Sequence, residues 1–165
     1  MAGSITPGQI KKTNRQLIYD YIYKNRKVSQ QDIAYALRLS RPTIATNLAE
    51  LEEDGLIYKN GQLDSDQIGR KAVAYSITPD YRIAIGVEIM NDVVKIIAVD
   101  LYGKKIYRVV LEIPYKNQAL YYKKVSNSIL EFIEDLEVPE DKILGIGFAM
   151  QGLVSADGST IVYGK

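Results

Sequence analysis

Apolar residues in the first third of the chain recur at helical spacing, which predicts a series of short helices. Thr13 and Gln16 have the spacing of a capping box, and the apolar stripe that follows them predicts a first helix over residues 13–25. Residues 1–12 precede this signal and are expected to be a disordered start.

A second helix is predicted over residues 30–38. Ser29 is its expected N-cap, Asp32 stands at its third position and Ile33 lies on its inner face. The link Arg38-Leu39-Ser40 to the next helix is short, which forces a sharp angle between the two helices. This arrangement is typical of a helix-turn-helix.

The third predicted helix organises this part of the chain. Ser40 is placed to accept a hydrogen bond from the backbone amide of Thr43, and Gly55 supplies a left-handed stop. Between these signals a buried apolar seam is predicted, formed by Ile44, Leu48 and Leu51. The opposite, outer side is polar and consists of Arg41, Pro42, Thr43, Thr46, Asn47 and Glu50.

This outer side has the chemistry of a DNA recognition helix. Arg and Asn side chains pair with guanine and adenine edges, and Thr contacts a phosphate or a thymine methyl group. A surface helix of any globular domain would also show a polar side, so the segments around the helix decide between the two interpretations. The residues expected to face DNA are Ser40, Arg41, Pro42, Thr43, Thr46 and Asn47.

Two predicted strands follow the helices and complete a winged helix-turn-helix. Residues 56–59 and 72–77 have the composition of strands, and Asn60-Gly61 is predicted to be a turn. The loop of this wing contains a flexible residue beside two cations, which are expected to contact a minor groove. The alternative is a solvated basic loop. These wing residues are Gly69, Arg70 and Lys71.

A second domain is predicted after Thr78-Pro79-Asp80, because proline does not extend a strand ladder. The two domains are expected at residues 13–78 and 79–165. Three apolar runs in the second domain predict an antiparallel meander, and a helix and a buried strand follow. These elements are predicted at residues 82–89, 93–101, 105–113, 119–136 and 142–150.

Composition limits the chemistry that the chain can perform. Its 165 residues include 21 Lys and Arg and 20 Asp and Glu, for a net charge of +1, so any affinity for nucleic acid must come from a local cluster. The sequence has no cysteine and no histidine, and we expect no metal and no cofactor. No apolar run approaches the length of a membrane span and the start lacks a signal-peptide pattern, so a cytoplasmic protein is expected.

The chain resembles the transcriptional regulators of the ROK family (repressor, open reading frame, kinase) from about Asn14 onward. The resemblance rests on Asn14-Arg15, on Leu39-Ser40-Arg41-Pro42-Thr43-Ile44, on Leu51, on Asp54-Gly55-Leu56-Ile57 and on Ile68-Gly69-Arg70-Lys71. It implies an α+β chain, with a winged helix-turn-helix DNA-binding domain followed by part of an actin-like ATPase (ribonuclease H-like) α/β domain. It also implies that the outer side of the third helix faces the major groove and that the Gly-Arg-Lys segment forms the wing contact.

The motifs of the ROK sugar kinases are altered in the second domain. Their Asp-x-Gly-Gly-Thr phosphate loop corresponds to Glu88-Ile89-Met90-Asn91-Asp92, which lacks both glycines and places an anion where a phosphate would bind. Residues 145–154 resemble the glycine-rich turn near the family's sugar pocket, but Gln151 and Leu153 replace its usual prolines. Gln151 and Gly152 are the candidate ligand-binding residues, and the alternative is a turn without a ligand.

In the family, the catalytic aspartate, the main sugar-contacting residues and a Cys/His zinc motif lie after the position that matches Lys165. We therefore expect a fragment or a shortened product, with an exposed strand edge and an apolar face that favour association with another copy.

The expected function is a sequence-specific DNA-binding regulator, a repressor of carbohydrate-utilisation genes. It would bind a double-stranded DNA operator as a homodimer and be relieved by a sugar effector in the complete protein. It is not expected to be an enzyme. The alternatives are a ROK-type sugar kinase with an added DNA-binding domain and a winged-helix module that binds protein.

Overall fold

The computed structural model describes residues 6–63 and 72–163. The chain divides into two compact units, Met1–Thr78 and Pro79–Lys165. The amide of Thr78, the last residue of the first unit, donates a hydrogen bond of 2.9 Å to the Leu56 carbonyl oxygen, so the end of this unit is bonded to the residue before the strand Ile57–Leu63. Each unit has its own sheet and its own buried residues.

The first unit begins with three helices, α1 (Pro7–Asn25), α2 (Gln30–Leu37) and α3 (Arg41–Glu53). Helix α2 has the predicted cap: the Ser29 side chain accepts from the amide of Asp32, whose carboxylate accepts from the Ser29 amide at 2.8 Å. Helix α3 ends as predicted at Gly55, which has a φ of 72°. The capping signals of α2 and α3 are local, and the structure confirms both.

The predicted start of α1 at Thr13 is wrong. The capping box that begins the helix is Thr6 with Gln9, and Pro7 occupies the first helical position, where its missing N–H costs no hydrogen bond. Residues 7–12, assigned from the sequence to a disordered start, are therefore helical. An ion pair between Lys11 and Glu50, 2.6 Å long, joins these added turns to α3.

Three antiparallel strands complete the first unit: β1 (Val28–Ser29), β2 (Ile57–Leu63) and β3 (Ala72–Ile77), in the order β1-β3-β2. The predicted turn at Asn60-Gly61 is wrong, because β2 continues through both residues. The register between β2 and β3 is irregular there, and Gly61 has a φ of +67°. The Asn-Gly pair thus forms a β-bulge instead of a turn. Both structures need a residue that accepts a positive φ, and Gly61 provides it.

The first unit has one apolar core between its helices and its sheet. The predicted α3 seam of Ile44, Leu48 and Leu51 is buried, and it is joined by Ile18, Ile22, Ile33, Ile57, Ala74 and Ile77. Ser76, a buried polar residue of β3, makes two hydrogen bonds beside this core. The hydroxyl of Ser76 donates to the Arg26 carbonyl oxygen at 2.6 Å and accepts from the Asn60 amide at 2.9 Å, so that the end of α1 is tied to the wing.

The second unit is a four-stranded sheet with one long helix. Strands β4 (Ile83–Ile89), β5 (Val93–Val99) and β6 (Lys105–Glu112) form the predicted antiparallel meander. Helix α4 (Ala119–Asp135) and a short 3-10 helix (Glu140–Lys142) lead to β7 (Ile143–Met150), which pairs parallel to β4. The sheet order is β6-β5-β4-β7, and β8 (Leu153–Val154) pairs with β9 (Ile161–Tyr163).

The prediction that β7 is buried is wrong. Helix α4 packs on the part of the sheet formed by β4, β5 and β6, where Phe132 stacks on Tyr107 with 5.2 Å between ring centroids. Strand β7 lies at the sheet edge, where Leu144 and Phe148 are 63% and 61% exposed. The predicted exposed edge and apolar face are thereby confirmed for the described residues.

Candidate nucleic-acid interface

The start of α3 is fixed by two of the residues that were predicted to contact DNA. Ser40 has extended backbone and its hydroxyl accepts from the Thr43 amide at 3.3 Å, as the sequence predicted. The two hydroxyl groups also share a hydrogen bond of 2.8 Å. Ser40 is exposed and Thr43 is half-buried. Both hydroxyls therefore stabilise the start of the helix, and other residues of α3 form its outer surface.

The outer side of α3 is smaller and less polar than the sequence indicated. Arg41, Pro42 and Thr46 are exposed there, as predicted. Two alanines lie among them and were missed, because alanine carries no hydrogen-bonding group that would draw attention in a sequence. The exposed residues of α3 are Arg41, Pro42, Ala45, Thr46, Ala49 and Glu53.

The prediction that Asn47 lies on the outer side is wrong. This residue is only 3% exposed, and its Nδ2 donates to the Thr43 carbonyl oxygen at 2.7 Å. Its Oδ1 is buried without a hydrogen-bond partner among the described residues. Because successive helical residues turn by about 100°, Asn47 lies only about 40° from Leu51 and shares the edge of the buried seam. Its amide is thus unavailable to an adenine edge.

The second half of α3 is acidic, and most of its carboxylates are paired with cations of neighbouring elements. Glu50, predicted to lie on the outer side, is half-buried and turns to α1, where it pairs with Lys11 and more distantly with Arg15 at 3.8 Å. Arg15 also bonds to Asp54. Glu52 holds Lys59 of β2 at 2.8 Å, and by accepting this hydrogen bond it raises the pKa of Lys59.

The two halves of α3 therefore carry opposite charge. The first half carries a single exposed cation, Arg41, whereas the second half carries the acids. DNA phosphates repel carboxylates, so a duplex would approach the amino-terminal half of the helix.

The angle between α2 and α3 is supported by one side chain. Gln30 is the first residue of α2, and its Nε2 donates to the backbone carbonyl oxygen of Arg41 at 3.1 Å. This bond joins the beginnings of the two helices across the short link that the sequence identified. Arg38 accommodates the link with a left-handed backbone, at a φ of 54°.

The remaining predicted site residues lie elsewhere. Gly69, Arg70 and Lys71 fall outside the described residues, and the pair Leu63 and Ala72 is the last described step of the wing on either side. Gln151 and Gly152 are exposed between β7 and β8. Both sets stay predictions.

The altered phosphate-loop segment forms the turn between β4 and β5. The carboxylate of Glu88 pairs with Lys95 at 2.8 Å, and the turn closes through a hydrogen bond from the Met90 amide to the Val93 carbonyl oxygen. Within residues 6–63 and 72–163, no three His, Cys, Asp or Glu side chains are grouped to bind a metal ion. In the same ranges, none of the helices combines the length and apolar character that a membrane crossing requires.

Comparisons with known proteins agree with this architecture. A family described as winged helix-turn-helix DNA-binding matches residues 12–58. The chain is 24% identical over 153 residues to the xylose repressor of Bacillus subtilis, and it is 23% identical over 145 residues to the xylose repressor of Bacillus spizizenii. These alignments cover 90% and 88% of this chain, and the chain spans only 38% of the length of each repressor.

A solved structure shows the same fold. The crystal structure of a ROK family transcriptional regulator, a homologue of the E. coli MLC protein, matches with a TM-score of 0.58 at 20% identity. The match covers 93% of this chain and 39% of the other. The first unit is therefore a winged helix-turn-helix, the second has the α/β fold of the corresponding part of that structure, and the resemblance to ROK regulators is confirmed over most of the chain.

Proposed function

We propose that this chain is the DNA-binding part of a sequence-specific transcriptional repressor of carbohydrate-utilisation genes. The observation that carries the proposal is the amino-terminal half of α3, which presents one cation and small side chains on a winged helix-turn-helix. The names of the two Bacillus relatives, both xylose repressors, support the regulatory role and the class of genes.

In this proposal Arg41 and Thr46 read base edges in the major groove, and Pro42 contacts them through its apolar ring. A guanidinium donates two parallel hydrogen bonds to a guanine, which is the commonest specific contact to a base. Ser40 and Thr43 keep the helix start in place at the groove, and Gly69, Arg70 and Lys71 form the wing contact. The roles on α3 rest on the positions of the residues and on the chemistry of their side chains, whereas the wing contact rests on the sequence alone.

The complete protein would act as a cytoplasmic homodimer with a double-stranded operator and a sugar effector. A dimer places two recognition helices in successive major grooves about 34 Å apart, so the operator would be an inverted repeat. The effector would have to bind more tightly to a conformation in which this spacing is lost, since a ligand with equal affinity for both conformations shifts nothing.

The test is selection of binding sites from a pool of random duplex DNA at two salt concentrations. Enrichment of an inverted repeat, bound more weakly at the higher salt, is the expected result. Salt-sensitive binding with no enriched sequence would contradict sequence-specific recognition by this chain. Absence of binding at both salt concentrations would contradict the DNA-binding role and favour a module that binds protein.

The ROK family also includes sugar kinases, and a repressor rather than an enzyme is proposed here. The turn between β4 and β5 holds Glu88 in an ion pair with Lys95, and its exposed Asp92 adds a second carboxylate where a phosphate would have to approach. The assay is ATP hydrolysis with and without a panel of sugars. Sugar-dependent turnover by the purified chain would overturn this part of the proposal.

A further inference from the structure

A groove with polar and apolar lining residues runs beside Arg41 between α2, the start of α3 and the base of the wing. It consists of two depressions, of about 370 Å³ and about 750 Å³, that share Ser29, Gln31, Arg41 and Ala72. Ala72 begins β3 and pairs with Leu63. Because Arg41 lines both depressions, the groove lies on the same side of the first unit as the amino-terminal half of α3.

Tyr35 of α2 lines this groove and is 90% exposed. It lies one helical turn after Gln31, so both side chains are on the same face of α2. Within the described part of the chain, neither Tyr35 nor Gln31 has a side-chain hydrogen bond, and Tyr35 has no ring contact. A tyrosine left so open has an unused hydroxyl donor, and Gln31 has an unused amide.

The groove presents hydrogen-bond donors to an anion. Arg41 supplies a cation, and the first amides of α2 have no partner within their helix. Asp32 is the acidic residue in the lining, and its carboxylate is already engaged by the amide and hydroxyl of Ser29 at 2.8 Å and 2.7 Å. Among the lining residues, the exposed side-chain donors are Arg41, Gln31 and Tyr35.

We propose that this groove holds one sugar-phosphate strand of the duplex and that Gln31 and Tyr35 each donate a hydrogen bond to a phosphate. The inference rests on the proposed function, because it requires α3 to lie in a major groove. The bond between Gln30 and the Arg41 carbonyl oxygen holds the start of α2 beside the start of α3. A helix in a groove about 12 Å wide has a phosphate strand on each side, and α2 meets the strand next to Arg41.

The test compares Tyr35→Phe and Gln31→Ala with the unaltered chain on the operator obtained by selection. Loss of one hydrogen bond to a charged phosphate should weaken binding roughly tenfold on every operator sequence. Because neither side chain is a cation, the slope of affinity against salt concentration should stay unchanged. Phosphate-ethylation interference should reveal, in each half-site, a phosphate that matters for the unaltered chain and not for Tyr35→Phe.

Tyr58→Phe is the matched control. Tyr58 is 41% exposed on β2 and precedes Lys59, which binds the acidic end of α3, so it lies away from Arg41. Its variant should bind and footprint like the unaltered chain. Unchanged affinity and an unchanged ethylation pattern for both Tyr35→Phe and Gln31→Ala would overturn the inference while sequence-specific binding persists. Failure of the unaltered chain to bind any duplex would overturn it together with the proposed function.

Discussion

Replacement of Asn47 by alanine tests whether this residue belongs to the buried side of α3 or to its DNA-facing side. The variant loses the hydrogen bond from Nδ2 to the Thr43 carbonyl oxygen, which contributes about 1 kcal/mol. It also removes the buried Oδ1 that has no partner, a group whose desolvation costs about 1–3 kcal/mol. The higher helix propensity of alanine stabilises the variant by about 0.5 kcal/mol, and the small cavity left by the missing amide group costs a similar amount.

These terms sum to a gain of about 0–2 kcal/mol, so Asn47→Ala should be at least as stable as the unaltered chain and should exceed its free energy of unfolding by no more than about 2 kcal/mol. Operator affinity and base preference should be unchanged, because the side chain is buried. Arg41→Ala is the contrasting variant. It should leave stability unchanged and lose about 1–3 kcal/mol of binding free energy together with preference at one base pair.

The two assays are urea unfolding followed by circular dichroism, which suits a chain without tryptophan, and titration of operator duplexes carrying single base-pair changes. If Asn47→Ala folded normally and lost discrimination at one adenine, the assignment of Asn47 to the buried side would be refuted.

Three further predictions concern other parts of the chain. Ser29→Ala removes the cap of α2 and should lower the free energy of unfolding by about 1 kcal/mol, measured by urea unfolding, and an unchanged midpoint would contradict the capping role. Asp157 has a pKa lowered to about 2, first by a hydrogen bond from the Ser155 hydroxyl, so its carboxyl carbon should titrate near pH 2 in an NMR experiment and higher in Ser155→Ala. Since the folded pKa lies below the unfolded one, this turn is stabilised at pH values above about 4 and loses that contribution as the pH falls through about 2. Phe148→Asp places a charge on the exposed face of β7 and should reduce light scattering by concentrated protein without changing the circular dichroism spectrum; equal scattering would show that this face does not drive association.

Helix starts were predictable where the signal and its partner lie within three residues. Ser29 with Asp32 and Ser40 with Thr43 are such cases, and both form the predicted hydrogen bonds. The predicted start of α1 was wrong because the chain contains two capping signals, Thr6 with Gln9 and Thr13 with Gln16, and the helix begins at the earlier one. Pro7 preorganises that earlier start, and the ion pair from α1 to Glu50 secures it, which is a contact between residues far apart in sequence.

The errors at the candidate interface have a similar origin. Asn47 was assigned by its polarity, but its angular position on α3 puts it next to Leu51, and the helix packs it inward. Ala49 was missed because a small apolar residue on an outer face gives no signal in a sequence. Tyr35 gave none either, since only the fold shows that a tyrosine on α2 is open and adjacent to Arg41.

If the chain binds DNA as proposed, the ion pairs that Lys11 and Arg15 make with the acidic end of α3 would affect the salt dependence of that binding. Added salt weakens surface ion pairs, each by less than about 1 kcal/mol, as well as the attraction between cations and phosphates. Part of the decline in affinity with salt would then come from looser anchoring of α3 to α1. The number of contacted phosphates, if calculated only from the slope of affinity against salt concentration, would then be too large. Lys11→Met removes one of these ion pairs at a distance from the groove residues, so the difference between its slope and that of the unaltered chain measures the excess.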